Sequence, residues 1–173
     1  MPSEPLLVTS RFYVVEVDRP LADGSIRTRA VVRHPGAVTI VPMIDDDHVC
    51  LIRNFRVSVN QTLIELPAGT LEPPEPADQA AHRELVEETG YEAGAMQELH
   101  QFYLSPGILD EKMHLFLATD LKEVGAAREA GEEIENLIVP WQEAIELVES
   151  RRIQDAKTIS GLLLYDRIRS RNS

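Results

Sequence analysis

The chain has 173 residues, enough for one domain with a sizeable core, and its composition is that of an ordinary globular protein. Its 17 Lys and Arg against 29 Asp and Glu give a net charge of −12, which disfavours nucleic acid as a partner because a polyanion would be repelled. The apolar runs are only a few residues long, far short of the roughly 20 that span a bilayer, so no membrane association is predicted.

The N-terminus and the cysteine content predict a cytoplasmic protein. Met1-Pro2-Ser3-Glu4 lacks the basic segment followed by an apolar one that marks a secretory signal. A single cysteine, Cys50, excludes an intrachain disulfide and fits a reducing compartment. Because it lies in the apolar run Val49-Cys50-Leu51-Ile52, we expect a buried strand residue and not a nucleophile.

The N-terminal third of the chain predicts β-strands. Turn signals at Asp23-Gly24, His34-Pro35-Gly36 and Asp45-Asp46-Asp47 separate its β-rich runs. The predicted strands cover residues 12–17, 26–32, 37–44, 48–52 and 62–66. The first two form a predicted hairpin, so we assign residues 1–34 to an N-terminal β extension and 35–173 to the main domain.

The rest of the chain predicts three helices and a few short strands. A helix is expected over residues 77–89, because Pro76 suits a helix start, Asp78 favours the first turn and Gly90 is a natural C-terminal stop. Short strands are predicted at 102–104, 113–118 and 137–139, and amphipathic helices at 141–151 and 158–169. This order predicts an α/β (α+β) domain with helices against a mixed sheet.

Three glutamates on the central helix break the rules of helix stability. Glu84, Glu87 and Glu88 stand at i, i+3 and i+4, so they share one face. Like charges at this spacing destabilise a helix by roughly 0.2–0.5 kcal/mol per pair, and only Arg83 can reach Glu87 at i+4. The cluster is either a solvated acidic face or a site for a hard divalent cation, which prefers carboxylate oxygens.

The spacing around these glutamates favours the metal site. Gly69 is followed after five residues by Glu75, after seven more by Arg83-Glu84-Leu85, and then by Glu87-Glu88 and Gly90. This pattern resembles the Nudix box at every fixed and hydrophobic position. The probability that it arises by chance in a chain this long is on the order of 10⁻⁶. The resemblance implies a Nudix fold: a mixed β-sheet sandwiched between helices, here with an N-terminal antiparallel β extension.

The resemblance also implies the metal ligands. Glu84 and Glu88 are the expected principal ligands of Mg²⁺, with Mn²⁺ as a possible substitute. Glu87 is a further ligand, and the carbonyl of Ala68 is a backbone ligand. A bound cation would also explain how so acidic a chain accepts a substrate that carries phosphates.

The implied catalytic residues lie on the helix and on a late loop. Arg83 is expected to orient the glutamates by ion pairing, with Glu75 as its partner. The general base of related enzymes lies on the loop before the last strand. Alignment on residues 137–141 places Glu135 at the family position, with Glu133 next. The loop also contains Glu129 and Glu132, and a solvated acidic loop without a catalytic member is the alternative.

Features outside the box indicate the substrate class. Arg56 and the Glu65-Leu66-Pro67-Ala68-Gly69 segment resemble the arginine-then-ELPAG pattern of ADP-ribose pyrophosphatases. Pro106, sixteen residues beyond Gly90, is a marker of that group. The implied substrate contacts are Arg56, Glu65, Pro106 and Glu111. A rigid turn at Pro106 and a surface role for Arg56 are the alternatives.

The resemblance runs from about residue 34 to about 164 and includes Asp155-Ala156-Lys157-Thr158. It implies that the Nudix hydrolase domain, residues 35–173, hydrolyses ADP-ribose, a small nucleoside diphosphate sugar, to AMP and ribose 5-phosphate. The nearest alternative is GDP-mannose as substrate. Two further alternatives are a non-catalytic ADP-ribose sensor, against which the intact glutamates argue, and a hydrolase of oxidised nucleoside triphosphates, which gives no reason for Pro106.

The N-terminal extension has a separate implication. In the family that the chain resembles, this region forms a small sheet that exchanges between subunits and helps to build the nucleotide site. We therefore expect a homodimer, in which Arg27 or Arg29 reaches the nucleotide site of the second copy. This expectation rests on the resemblance alone.

Overall fold

The computed structural model describes residues 4–125 and 134–172, and within them the chain forms ten strands and three helices. The strands are β1 (Leu7–Val8), β2 (Tyr13–Pro20), β3 (Ile26–Arg33), β4 (Ala37–Pro42), β5 (His48–Arg56), β6 (Gln61–Glu65), β7 (Ala68–Thr70), β8 (Tyr91–Tyr103), β9 (Lys112–Glu123) and β10 (Ile134–Pro140). The helices are α1 (Ala77–Thr89), α2 (Trp141–Glu149) and α3 (Ala156–Asn172).

The strands make three sheets. The N-terminal sheet is antiparallel with the order β1-β2-β3, and a second antiparallel sheet has the order β10-β5-β6. The third has the order β7-β4-β9-β8 and is mixed, because β4 runs parallel to β9 and antiparallel to β7. The predicted mixed sheet is therefore present.

Helices cover the mixed sheet on both faces. Val38 and Ile40 of β4 pack with Leu85 of α1 in one buried cluster, while Val41 packs with Leu162 of α3 in another. Side chains alternate between the two faces of a strand, so this division places α1 and α3 on opposite sides of β4. The predicted α/β sandwich is confirmed.

Helix α1 has the bounds that the sequence predicts. Pro76 occupies its N-cap in extended conformation, and Asp78 is the acidic residue of its first turn. Gly90 ends the helix in the left-handed region with φ 78°, and its N–H donates to the carbonyl of Val86 at 2.9 Å. All of these signals are local, which is why the sequence alone gives the helix correctly.

The prediction was wrong for β8 and omitted β7. A short strand was expected at 102–104, but β8 extends from Tyr91 to Tyr103 and pairs with β9 along nearly its whole length. β8 is the outer strand of its sheet and largely exposed, so its polar sequence shows little hydrophobic alternation. β7 follows a proline and has only three residues, so its pairing with β4 is not visible in the sequence.

The N-terminal sheet contacts the loop between β8 and β9. The predicted hairpin is present as β2 and β3, with β1 added beside β2. Val32 is hydrogen-bonded by its N–H to the carbonyl of Ile108 and by its carbonyl to the N–H of Asp110, and Arg33 pairs with Asp110 at 2.8 Å. Apolar side chains of this sheet are exposed, including Leu7, Val8 and Ile26.

Two smaller expectations concern Cys50 and the helices. Cys50 is fully buried in β5 and forms no disulfide within the described residues, in agreement with the predicted buried strand position. Among residues 4–125 and 134–172, no helix combines the length and the apolar character needed to cross a membrane.

Candidate active site

The Nudix-like segment brings β7 against helix α1. The carboxylate of Glu84 lies so close to Gly69 that a Cβ atom at position 69 would overlap it. Any residue other than glycine would displace the carboxylate or the strand. This close approach explains the glycine of the motif, and it forms a cradle of carboxylate oxygen and backbone at the end of β7.

Glu88, one turn further along α1, is fixed against the neighbouring residue of β7. Its side chain is buried and accepts a hydrogen bond of 2.8 Å from the N–H of Ala68. A backbone donor stabilises an ionised carboxylate, so a buried glutamate is tolerated here. Ala68 itself is the β7 residue opposite Thr39 of β4. The sheet therefore holds Ala68, and Ala68 positions Glu88.

Arg83 joins three carboxylates. Its guanidinium donates to Glu75 at 3.0 Å through two nitrogens, to Glu84 at 2.7 Å and to Glu87 at 3.0 Å. The hydrogen bonds that Arg83 donates to Glu75, and then to Glu84 and Glu87, raise the pKa of Arg83 despite partial burial, so it is charged at any working pH. We call Glu75, Arg83, Glu84 and Glu87 the Arg83 cluster.

The donors of this region fit a hard divalent cation. The Arg83 cluster and Glu88 together set four carboxylates against one cation. In the part of the chain that the structure describes, no three acidic, His or Cys side chains stand as a ready metal site. Arg83 holds Glu84 and Glu87, and Ala68 holds Glu88. Glu84, Glu87 and Glu88 are the residues that would hold such an ion, and the Glu84 carboxylate already lies against Gly69.

A second charged cluster lies beside the first. Glu65, at 1% exposure, accepts two hydrogen bonds from Arg56, at 2.8 Å from Nε and 2.6 Å from Nη2. Lys157 also donates to Glu65, at 2.5 Å, and to Asp155 at 2.9 Å. We call Arg56, Glu65, Asp155 and Lys157 the Glu65 cluster. It joins the ends of β5 and β6 to the start of α3.

The charges of the Glu65 cluster are mutually stabilised. Burial would raise the pKa of Glu65, but hydrogen bonds from Arg56 and the charge of Lys157 outweigh it, so the pKa is lowered and Glu65 is ionised. The hydrogen bonds to Glu65 raise the pKa of Arg56, and the charge of Glu88 adds to this effect. Arg56 is therefore close enough to the expected metal ligand Glu88 for their charges to interact.

Of the two glutamates predicted as the general base, the structure describes only Glu135. Glu133 lies outside the described residues. Glu135 is exposed in β10, opposite Arg53 of β5. The side-chain amide of its neighbour Asn136 donates a hydrogen bond of 2.7 Å to the carbonyl of Thr89 at the C-terminal end of α1. Because neighbouring strand residues project to opposite faces, Glu135 projects from the face opposite the one that Asn136 presents to α1.

The other predicted substrate residues lie outside these two clusters. Pro106 is exposed in the loop between β8 and β9. Glu111, at the end of that loop, lies 3.9 Å from the ring of His34. Arg29 is exposed in β3, opposite Val17 of the N-terminal sheet. The structure thus brings Arg56 and Glu65 to the helix glutamates, and leaves the other three at the loop or in the N-terminal sheet.

Two contacts of the site were not predicted from the sequence. Asn136 ties β10 to the end of α1, and Lys157 shares Glu65 with Arg56. The signal for Lys157 was present, because the Asp155–Thr158 segment resembles the ADP-ribose group as well. Its partner Glu65 lies 92 residues away along the chain, so no local pattern could reveal the pairing.

Comparison with known proteins identifies the family. The model of the NUDIX domain matches residues 33–161. The chain belongs to the Nudix family, and it is a Nudix hydrolase, as the resemblance of residues 69–91 predicted. Enzymes of this family use divalent metal cations, in agreement with the carboxylates around Gly69.

Individual relatives of this Nudix hydrolase carry three different names. The ADP-ribose pyrophosphatase of Bacillus subtilis (strain 168) is 40% identical over 148 residues, 84% of this chain and 79% of that protein. The methanol dehydrogenase activator of Bacillus methanolicus is 36% identical over 156 residues, 88% and 84%. The GDP-mannose pyrophosphatase of Cronobacter sakazakii (strain ATCC BAA-894) is 38% identical over 137 residues, 73% and 71%.

A solved structure extends the similarity to the whole fold. The crystal structure of an ADP compounds hydrolase superposes with a TM-score of 0.86 at 26% identity, covering 98% of this chain and 92% of that one. The similarity therefore includes the N-terminal sheet as well as the Nudix domain.

Proposed function

We propose that this Nudix hydrolase cleaves the diphosphate bond of ADP-ribose, with Mg²⁺, to give AMP and ribose 5-phosphate. The observation that carries the proposal is the position of Arg56. Buried Glu65 holds this guanidinium in two hydrogen bonds, and the charge of Glu88 on α1 contributes to the raised pKa of Arg56. A phosphate-binding group is thus oriented within electrostatic range of an α1 carboxylate. The similarity to an ADP-ribose pyrophosphatase supports the choice of nucleotide.

The metal in this proposal is held by Glu84, Glu87 and Glu88, with the carbonyl of Ala68 as a backbone ligand. Mn²⁺ has the same ligand preferences and would substitute. A bound divalent cation neutralises phosphate charge, polarises the phosphorus and lowers the pKa of a coordinated water. The Gly69 cradle supports the assignment, because it brings the Glu84 carboxylate against the backbone of β7.

The remaining residues bind, orient and accept a proton. Arg56 binds the diphosphate, and Glu65 orients Arg56. Arg83 orients Glu84 and Glu87, which would hold the cation, and it also pairs with Glu75 through two nitrogens. Pro106 and Glu111, on the loop between β8 and β9, are the further substrate contacts of this proposal.

The general base is a glutamate of the loop before β10, and we place Glu133 ahead of Glu135. Glu135 belongs to β10 and projects from the face opposite Asn136, which contacts α1. A base must come within hydrogen-bond reach of the attacking water, directly or through one further water. Glu135 would serve only if the first residues of β10 rotated.

A homodimer in the cytoplasm completes the proposal. Leu7, Val8 and Ile26 expose 51%, 67% and 66% of their surface in a three-stranded sheet that contacts the loop between β8 and β9. Such a sheet is marginally stable unless its apolar side chains are covered. A second copy would cover them and bring Arg29 to its nucleotide site. Light scattering should give a dimer for the wild type and a monomer for Val8→Lys.

GDP-mannose is the second candidate substrate, because a GDP-mannose pyrophosphatase is 38% identical to this chain. The two substrates share the diphosphate and differ in base and sugar. Arg56 and the helix glutamates serve either one equally. Discrimination must come from other residues.

The test measures AMP release from ADP-ribose and GMP release from GDP-mannose, each with Mg²⁺ and with EDTA. Mg²⁺-dependent AMP release well above the rate of GMP release is the expected result. Turnover of GDP-mannose alone would keep the hydrolase and change the substrate. ADP-ribose binding without turnover of either compound would overturn the proposal in favour of a sensor.

A further inference from the structure

Lys157 is a buried cation for which the proposed reaction has no direct use. Its side chain is 9% exposed, and its amine donates to Glu65 and to Asp155. A buried lysine is costly unless paired, and here both partners are carboxylates at fixed positions. Glu65 is the same carboxylate that orients Arg56. Lys157 is therefore connected to the phosphate-binding arginine through one shared anion.

The start of α3 holds Lys157 in place. Asp155 precedes the helix and accepts hydrogen bonds from the N–H and the hydroxyl of Thr158, at 3.0 and 2.6 Å. The same Thr158 hydroxyl accepts a hydrogen bond of 2.8 Å from the N–H of Leu66, the residue that follows Glu65. The segment after β6 is therefore bonded to the start of α3 through Thr158, the residue that follows Lys157, so a backbone contact as well as the side chains positions Lys157 against Glu65.

Charge balance gives this arrangement a consequence for the substrate. Lys157 pairs with both Glu65 and Asp155, so the Glu65 cluster has two cations and two carboxylates and carries no net charge. Without Lys157 the same cluster would carry a net negative charge around Arg56. Arg56 uses Nε and Nη2 for Glu65, and its third nitrogen, Nη1, takes no part in that pair. A substrate phosphate that approaches Arg56 therefore meets a neutral cluster and not an acidic one.

We propose that Lys157 is a positioning residue for diphosphate binding: by pairing with Glu65, it fixes the carboxylate that orients Arg56 and keeps the cluster from repelling a substrate phosphate. The inference rests on the proposed function, because it assigns to Arg56 a phosphate of a nucleoside diphosphate sugar. Lys157 itself does not touch the substrate. Its effect is on binding and reaches the chemical step only through Arg56.

The test compares Lys157→Met with Lys157→Arg, in the wild type and in an Arg56→Gln background. Steady-state kinetics with ADP-ribose and Mg²⁺ give KM and kcat separately. Calorimetry with ADP-ribose in EDTA gives Kd without turnover. Lys122→Met is the matched control, because Lys122 is an exposed lysine of β9. Thermal unfolding identifies any variant that has lost its fold, and Lys157→Gln replaces Lys157→Met if the latter does not fold.

The proposal predicts that Lys157→Met raises KM and Kd by roughly 10-fold, the size of one lost charge-assisted contact, with kcat within about twofold. Lys157→Arg should restore most of the affinity, and Lys157→Met should add nothing in the Arg56→Gln background. An unchanged KM and Kd, or an equal loss in both backgrounds, would overturn it, since a merely structural lysine would act without Arg56.

The outcome for Lys157 is separable from the outcome for the proposed function. A wild type that turns over ADP-ribose while Lys157→Met behaves like Lys122→Met would refute only the role of Lys157. A wild type that binds ADP-ribose without turnover would refute the reaction, and the Kd comparison would still judge Lys157. A wild type that does not bind ADP-ribose at all would overturn both.

Discussion

The Arg83 cluster and the Glu65 cluster use the same side-chain chemistry with opposite charge balance. In the first, a single guanidinium serves three carboxylates, and Glu88 adds a fourth close by. In the second, two cations serve two carboxylates, and the central one is almost fully buried. Arg56 of the second cluster lies within electrostatic range of Glu88, whose charge contributes to the raised pKa of Arg56.

This difference explains how an acidic protein can bind a diphosphate. A surplus of carboxylates is suited to a divalent cation, which then presents positive charge to the substrate. A balanced cluster with an arginine at its edge is suited to the phosphate itself. The net charge of −12 therefore need not repel the substrate, because both sources of positive charge are local. Four predictions test this division of labour.

Loss of Glu88 should have the largest effect. Glu88→Gln keeps the acceptor for Ala68 but removes a charge from the metal site, so we expect kcat to fall beyond the roughly 100-fold typical of residues that merely orient metal ligands. Glu92→Gln, an exposed glutamate at the start of β8, is the control and should be fully active. A fully active Glu88→Gln would mean that Glu88 is not a metal ligand, and would contradict the contrast drawn between the two clusters.

The loop before β10 should give the next largest effect. Glu133→Gln should lower kcat by about 10²–10⁴-fold, the usual contribution of a general base. Glu135→Gln should retain most of the activity, because Glu135 projects from the face opposite Asn136. The pH dependence of the rate, measured for both variants, distinguishes which of the two glutamates is the base. A severe loss in Glu135→Gln with an active Glu133→Gln would reverse the assignment.

Arg83→Gln should weaken metal binding more than substrate binding. Without the guanidinium, Glu75, Glu84 and Glu87 repel one another and lose their orientation, so we expect a loss of roughly 10–100-fold in activity at fixed Mg²⁺. A Mg²⁺ titration of the rate should show a higher midpoint and partial rescue by excess metal. Arg167→Gln on the exposed side of α3 is the matched control. A rise in KM for ADP-ribose with an unchanged Mg²⁺ midpoint would contradict this role.

The smallest effect concerns stability in acid. The native pKa of Glu65 is lowered, so its contribution is complete above its ordinary pKa and is lost as the pH falls through the lowered value. Glu65→Gln should therefore be less stable than the wild type at neutral pH, and this difference should shrink at the acid end of a series of thermal unfolding curves. A constant difference across pH would mean that Glu65 acts by packing and not by charge.

Sequence alone recovers the parts of this molecule that local chemistry determines. Helix α1 ends where Pro76 and Gly90 indicate, and the motif glycine lies against Glu84. The sequence does not give β8, because an exposed outer strand depends on its neighbour β9 for pairing. Nor does it give the sharing of Glu65 by Arg56 and Lys157, because that contact is made only after β6 and α3 have packed together.

The central claim is that the carboxylates of α1 hold a cation against a diphosphate that Arg56 binds. AMP release from ADP-ribose, followed as Mg²⁺ is titrated into metal-free wild type and Glu88→Gln, tests it most directly. We predict no release without metal, saturable release in the wild type and almost none in the variant. Equal release from both proteins, or release in EDTA, would contradict the account.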